Sequence, residues 1–253
     1  MADTRIAVIS DVHGNRWALE AVLEDIERRS VRHVVNLGDS LYGPLDPAGT
    51  ARILLPLDIP TVRGNEDRIV VEPPWDAGVS PTLAYVRESL NAVHLRWLEG
   101  LEMTLTTYEH FYLCHGSPER DDEYLLEEVS AAGVSLRGSN GLMARVSGLA
   151  QPVLLCGHDH VPRTVRLPDG RLIVNPGSVG LPAYADDVPF PHVMQTGAPH
   201  ARYSIVSRVE AGWRIEDIAV PYDWETAAAV AAENGRPDWA AWLRTGRADA
   251  AYR

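Results

Sequence analysis

Five short apolar runs in this chain each close on a tip of Gly, Asp, Asn or His, and no other feature constrains the fold as strongly. Arg5-Ile6-Ala7-Val8-Ile9-Ser10 leads into Asp11, His33-Val34-Val35-Asn36-Leu37 into Gly38-Asp39, and Pro60-Thr61-Val62-Arg63 into Gly64-Asn65. Further on, Phe111-Tyr112-Leu113-Cys114 leads into His115-Gly116, and Pro152-Val153-Leu154-Leu155-Cys156 into Gly157-His158-Asp159-His160. Apolar runs of this length that alternate with segments of helical period read as strands buried by helices in an α/β architecture.

The first crossover helix is expected from Asn15, whose side chain can cap exposed amides, to Arg29, with Ala18, Val22 and Ile26 at i, i+4 and i+8 facing a sheet. It returns the chain for a parallel strand. Further helical stretches are expected over residues 47–55, 82–90 and 122–132. Residues 181–201 hold Pro182, Pro189, Pro191 and Pro199 with His192 and His200, and read as a long irregular excursion whose histidines could line a pocket but, as surface loop residues, need no function. Strand-like residues 201–206 and 213–218 flank Ala211-Gly212, a hairpin signal that adds edge strands to an existing sheet. The tail reads as helical over 224–233 and 237–243, with Trp239, Trp242 and Leu243 on one face that packs it against the body or, in a second reading, forms a dimer contact. With no repeat or linker, residues 1–253 are expected to form one domain, with a core over 5–220 and a helical appendage over 221–253.

Of the 253 residues 45% are hydrophobic, enough to bury a sizeable core without disulfides or structural zinc. Basic residues number 23 against 35 acidic ones, and the net charge of −12 disfavours non-specific nucleic-acid binding, which rests on phosphate contacts. Cys114 and Cys156 lie in apolar strands and are assigned to the core as small hydrophobes. No charged-then-apolar leader is present and no apolar run approaches the ~20 residues that span a bilayer, so the expectation is a cytoplasmic protein without membrane contact. Homo-oligomerisation stays open.

Gathered together, the polar tips hold two Asp, one Asn and four His: Asp11, His13, Asp39, Asn65, His115, His158 and His160. Any one such piece is ordinarily a cap, a turn or a core histidine; the ordered set is not. Carboxylate and amide oxygens mixed with imidazole nitrogens suit borderline divalent ions such as Mn²⁺, Fe²⁺, Zn²⁺ or Ni²⁺, and the absence of thiolates argues against a structural zinc site. The set exceeds what one ion needs. Two ions sharing a carboxylate, ~3.5–4 Å apart, would lower the pKa of a common water from ~15.7 towards neutrality and hold the resulting hydroxide for in-line attack on phosphorus.

The order Asp-x-His, Gly-Asp, Gly-Asn, His-Gly, Gly-His-x-His resembles the calcineurin-like metallophosphoesterase superfamily, and Asn175-Pro176-Gly177-Ser178-Val179-Gly180 is similar to its small bacterial and archaeal phosphodiesterase branch. The match spans Arg5 to Gly180. The resemblance implies a four-layer αββα sandwich of two mixed β-sheets flanked by helices, two divalent ions (Mn favoured over Fe, Zn, Ni or Mg) and hydrolysis of a small-molecule or nucleotide-type phosphoester. Carried over by position, one ion would bind Asp11, His13, Asp39 and His160, and the other Asp39, Asn65, His115 and His158, with Asp39 bridging. Arg16, Arg63 and Arg68 lie near these tips in sequence and are candidates for phosphate contacts, against their ordinary use in surface ion pairs.

One position departs from the pattern. Many members carry after the metal-binding Asn a His that contacts the phosphate and helps the leaving group depart, whereas Asn65 is followed here by Glu66 and Asp67. An ionised Glu66 aimed at phosphate would oppose binding, so it is expected to be protonated, paired with a neighbour such as Arg68, or turned away. Asp39, Asn65 and Glu66 are the catalytic candidates, and without that His the site is expected to favour substrates whose leaving group needs little protonation, such as aryl or nucleotidyl phosphodiesters. The competing readings are a metal-binding scaffold without turnover and, among enzymes, a dinucleoside polyphosphate hydrolase or a protein phosphatase.

Overall fold

The computed structural model describes residues 5–73 and 80–248. The first crossover forms as its local signals dictate. Strand β1 (Arg5–Ile9) is followed by Asn15, whose side chain accepts the Ala18 amide and starts α1 (Arg16–Arg28), and β2 (His33–Asn36) then pairs in parallel with β1. Ala18, Val22 and Ile26 are buried as expected.

The chain continues through α2 (Pro47–Leu54), α3 (Asn65–Val71), α4 (Pro81–Ser89), α5 (Ala92–Glu99), β3 (Thr104–Thr107) and β4 (Phe111–Cys114). It then forms β5 (Glu127–Ser130), β6 (Gly133–Leu136), α6 (Ser139–Arg145), β7 (Val153–Leu155), β8 (Arg163–Arg166) and β9 (Leu172–Asn175). Strands β10 (Ala183–Asp186), β11 (His192–Gln195), β12 (Ala201–Val209) and β13 (Gly212–Val220) precede the final helices α7 (Trp224–Glu233) and α8 (Pro237–Thr245). The last five residues of the expected appendage, 249–253, lie outside the described residues.

Two mixed sheets carry the architecture, in the orders β13-β12-β1-β2 and β3-β4-β7-β9-β8. Ile6, Val8, Val35, Leu37 and Val206 of the first share one apolar cluster with Phe111, Leu113, Val153, Leu155 and Val174 of the second, so alternate residues of each sheet meet the other. The remaining faces bury against helices. Ala7, Ile9, Tyr203 and Ile205 cluster with α1, and Leu154 and Ile173 with Leu142 of α6. Helices α7 and α8 form a further cluster in which Trp239, Trp242 and Leu243 pack on Leu45, Leu181 and Ala183. The parallel strands β1, β2, β4 and β7 end where Asp11, Asp39, His115 and the 157–160 segment begin.

Several sequence expectations are corrected. Residues 122–132 form no helix: they contain β5, paired antiparallel with β6, because the Arg137 guanidinium takes the carbonyls of Tyr124, Leu125 and Glu127. Residues 181–201 are not irregular throughout; β10 and β11 make a hairpin with the prolines 189 and 191 between them. The segment from Pro60 to Arg63 makes only the bridges Asn36 to Thr61 and Val62 to Glu102, since Pro60 has no N–H to extend a ladder. Opposite Val209 stands Gly212, so the hairpin turns on Glu210-Ala211 rather than Ala211-Gly212, and β12 lies inside the sheet with β13 at its edge. Helices α3, α5 and α6 lie outside the helical stretches that the sequence pattern predicts.

Candidate metal centre

The five tips converge although they come from residues 11 to 160 of the chain. Asp11, His13 and His160 form one group whose donor atoms lie within 4.8 Å of one another, Asp39, His115 and His158 form a second, and His13, Asp39 and Glu66 form a third that overlaps both. Asn65 joins the second through its Oδ1, 3.1 Å from His115 Nε2. All seven residues singled out in the sequence are therefore brought together.

Backbone conformation marks the same residues. Asp11 (φ 54°), His13 (51°), Asp39 (50°), His158 (72°) and His160 (61°) all adopt the left-handed region, which costs a residue with a Cβ roughly 1–2 kcal/mol. Such strain persists only where surroundings impose it and clusters at working sites. Here the surroundings include the Asn175–Gly180 segment. Asn175 Nδ2 donates to Gly157 O and Asp159 Oδ1, the Ser178 hydroxyl and Gly180 amide donate to Asp11 O, and the Val179 amide to Ser10 O. The motif thus braces two ligand tips against each other.

Three histidines are fixed in one tautomer. His115 Nδ1 donates to Leu37 O and His160 Nδ1 to Leu181 O, both at 2.7 Å, and His13 Nδ1 to Tyr42 O at 3.2 Å. Carbonyl oxygens only accept, so each Nδ1 carries a proton and Nε2 is the nitrogen left facing the centre for a cation. His13 Nε2 and His160 Nε2 stand 3.0 Å apart, His160 Nε2 is 3.3 Å from Asp11 Oδ1, and His115 Nε2 is 3.2 Å from Asp39 Oδ2. Donors around one ion at ~2.1 Å are separated by roughly 3.0–3.4 Å, so the set fits divalent cations.

Charge points the same way. Asp11 Oδ1 is buried without a hydrogen-bond partner and has the Nε2 atoms of His13, His115 and His160 within 3.9 Å. Burial drives His13 and His115 down, but Glu66, Asp39 and Asp11 outweigh it at His13, and Asp39 and Asp11 at His115, so both are pushed up. Burial and the neighbouring His115 push His158 down to about 4. The carboxylates hold positive charge in the pocket, which a cation supplies when it displaces the imidazole protons.

The family model for the calcineurin-like phosphoesterase superfamily domain matches residues 4–194. The chain belongs to that superfamily. It is accordingly a metal-dependent phosphoester hydrolase. Its fold is similar to the metallophosphoesterase from Sphaerobacter thermophilus, with a TM-score of 0.73 and 25% identity over 95% of this chain and 98% of that one. A hypothetical protein from Pyrococcus horikoshii OT3 gives the same TM-score of 0.73 at 19% identity, over 97% of this chain and 99% of its own. An uncharacterized protein of Methanocaldococcus jannaschii is 24% identical over 94% of this chain and 96% of its own length.

Beyond these candidate ligands, this phosphoesterase has an aromatic enclosure that sequence reasoning missed. A cavity of about 200 Å³ over the centre is lined in part by Tyr42, Tyr124, Tyr184, Arg236, Trp239 and Trp242. Tyr124 stacks on His158 at 4.7 Å, Tyr184 meets His160 edge-on at 4.6 Å, and Trp239 meets His13 at 5.7 Å. His192, taken from sequence for a surface residue, is buried, with its Nε2 3.0 Å from the Tyr124 hydroxyl. His200 rests on Trp224. The arginines near the tips are engaged elsewhere: Arg16 with Asp46 and Glu20, Arg68 in a two-pronged bond to Asp121, and Arg63 3.6 Å from the same Asp121. Glu66 does not pair with Arg68; its Oε2 lies 3.0 Å from His13 Nδ1. Cys114 and Cys156 are free and buried, and burial pushes the Cys114 thiol up to about 12, as a core residue requires.

Proposed function

We propose that this chain hydrolyses small-molecule phosphodiesters with an aromatic group on the ester, using two divalent ions of which manganese is favoured. The observation that carries this reading is the convergence of Asp11, His13 and His160 with Asp39, His115 and His158 in two adjoining groups. Asp11, His13 and His160 would hold one ion and Asn65, His115 and His158 the other, with the Asp39 carboxylate bridging. When bound, the ions supply Lewis acidity towards the non-bridging phosphoryl oxygens and an acidified water as nucleophile.

The chain's own contribution is orientation. The Glu66 amide donates to Asp39 Oδ1 at 2.8 Å while Asp39 Oδ2 faces His115, so the two carboxylate oxygens are held apart for two partners. Carbonyls of Leu37, Leu181 and Tyr42 keep three imidazoles aimed inward. Trp242 lines the cavity, its buried indole N–H has no partner among the described residues, and on this reading that donor would meet an acceptor atom on the ester group. Arg236, with its guanidinium 5.4 Å from the centroid of the Trp239 ring, also lines the cavity, but it is paired with Asp238 and bonded to Thr82 Oγ1. With Glu66 turned to His13, no imidazole follows Asn65 to protonate a departing group. Esters that leave as stable anions suit such a site.

A cytoplasmic setting agrees with the two free, buried thiols. The net charge of −12 disfavours non-specific nucleic-acid binding.

Calorimetric titration of metal-stripped protein with Mn²⁺, followed by turnover of bis-(p-nitrophenyl) phosphate and p-nitrophenyl phosphate, tests the reading. Two ions per chain and faster cleavage of the diester are expected. Uptake of a single ion, or preference for the monoester, would refute it.

A further inference from the structure

Glu66 occupies the position at which sequence and chemistry disagree, a carboxylate where an anionic ester has to bind. Its surroundings assign it other work. Oε2 of Glu66 is buried, is engaged by no other donor among the described residues, and lies 3.0 Å from His13 Nδ1, within reach of the proton that Nδ1 now directs at Tyr42 O. The Nδ1–H of His13 also points to Tyr42 O at 3.2 Å. Both neighbours of that nitrogen are therefore acceptors, and both require the proton to stay on Nδ1 and the Nε2 lone pair to face Asp11 and His160. His115 and His160 achieve the same orientation with a backbone carbonyl alone. Among these three rings only His13 has a carboxylate as well.

The backbone of Glu66 reaches the other half of the centre, since its amide donates to Asp39 Oδ1. One residue thus touches a ligand of each donor group.

On the two-ion reading above, we propose that Glu66 is a positioning residue of the metal centre: its carboxylate accepts from His13 Nδ1–H and fixes His13 Nε2 on the ion shared with Asp11 and His160. A carboxylate behind a ligating imidazole sets its tautomer and raises its basicity, and losing such a partner ordinarily weakens metal binding 10–100-fold. Engagement with His13 also occupies the carboxylate that would otherwise face the phosphoryl oxygens.

The test is Mn²⁺ titration calorimetry of the metal-stripped parent chain, Glu66→Gln and Glu66→Ala, paired with turnover of bis-(p-nitrophenyl) phosphate across a Mn²⁺ series. For Glu66→Ala, one of the two ions is expected to bind about 10–100-fold more weakly, with the activity curve moved to higher Mn²⁺ and its plateau within a few-fold of the parent. Glu66→Gln keeps an acceptor of the same shape without the charge and is expected to fall between the two. A parent that binds two ions and an alanine variant that binds both as tightly overturns the assignment alone. So does unchanged affinity with a lowered plateau, which places Glu66 on the substrate. A parent that takes up no Mn²⁺ overturns the two-ion reading, and this assignment with it.

Discussion

A Cβ on Gly64 would stand 2.0 Å from Asp39 Oδ1, so the backbone that opens α3 lies directly against the carboxylate facing His115. No side chain fits between them. Gly64→Ala must displace either Asp39 or the start of α3, and overpacking of this kind costs ~1–3 kcal/mol. The expected outcome is a lowered melting temperature together with Mn²⁺ affinity reduced by at least about tenfold. A variant with parent stability and parent affinity would show that the contact is dispensable.

Asp39→Asn removes the charge between the two histidine groups, and His115→Ala removes an imidazole that is fully buried. Each is expected to lower diester turnover by more than about a hundredfold, since partners behind the ligands alone cost 10–100-fold. Far-ultraviolet circular dichroism should show most of the fold retained. Turnover at the parent rate in either variant would remove that residue from the ligand set.

Trp242→Phe preserves an apolar ring in the α8 cluster and deletes the indole N–H that lacks a partner. If that donor meets the ester group, KM for an aryl diester should rise about 5–10-fold, the worth of one hydrogen bond of roughly 1–1.5 kcal/mol, with Mn²⁺ affinity unchanged. An unaltered KM would reduce Trp242 to packing.

Stability at low pH should depend on Asp25. Burial raises this carboxyl, but the Tyr203 hydroxyl, Arg28 and Arg29 outweigh it and hold the group below its ordinary value of 3.8, at about 2. A carboxylate depressed on folding adds stability above its unfolded pKa, and that stability is lost as pH falls through the folded value, here between about 4 and 2. The span corresponds to about 2 kcal/mol. Melting curves of the parent and Asp25→Asn should therefore differ most above pH 4 and draw together towards pH 2. Parallel curves across that range would assign the effect elsewhere.

What the sequence reveals follows from how local each signal is. The crossover helix α1 is legible because its cap, Asn15, and its buried positions Ala18, Val22 and Ile26 all lie within its own length. The seven ligand candidates are legible because each follows an apolar run, so a one-dimensional pattern already marks where chain ends of strands meet. The left-handed conformation of Asp11 and His158 is not, since the segment between Asn175 and Gly180 that bonds Asp11 and the residues either side of His158 is remote from Asp11 in the chain. The misread stretch 122–132 has helical composition, and a residue outside it, Arg137, takes the carbonyls a helix would use. Tyr124 meets Tyr184 and His192 of the β10–β11 hairpin only across 60 and 68 residues of chain, which no local pattern reports. Helix α5 did leave a trace, as Asn91 caps the amides of Val93 and His94.

The left-handed tips have an evolutionary corollary. Glycine tolerates the backbone found at Asp11, Asp39 and His158 without the steric penalty that an aspartate or histidine incurs there. Mutational drift that exchanges these side chains for glycine thus runs downhill in local conformational energy while silencing the chemistry. A lineage released from selection for hydrolysis would tend to keep this scaffold and shed its ions, so inert descendants should be as robust as their working ancestors.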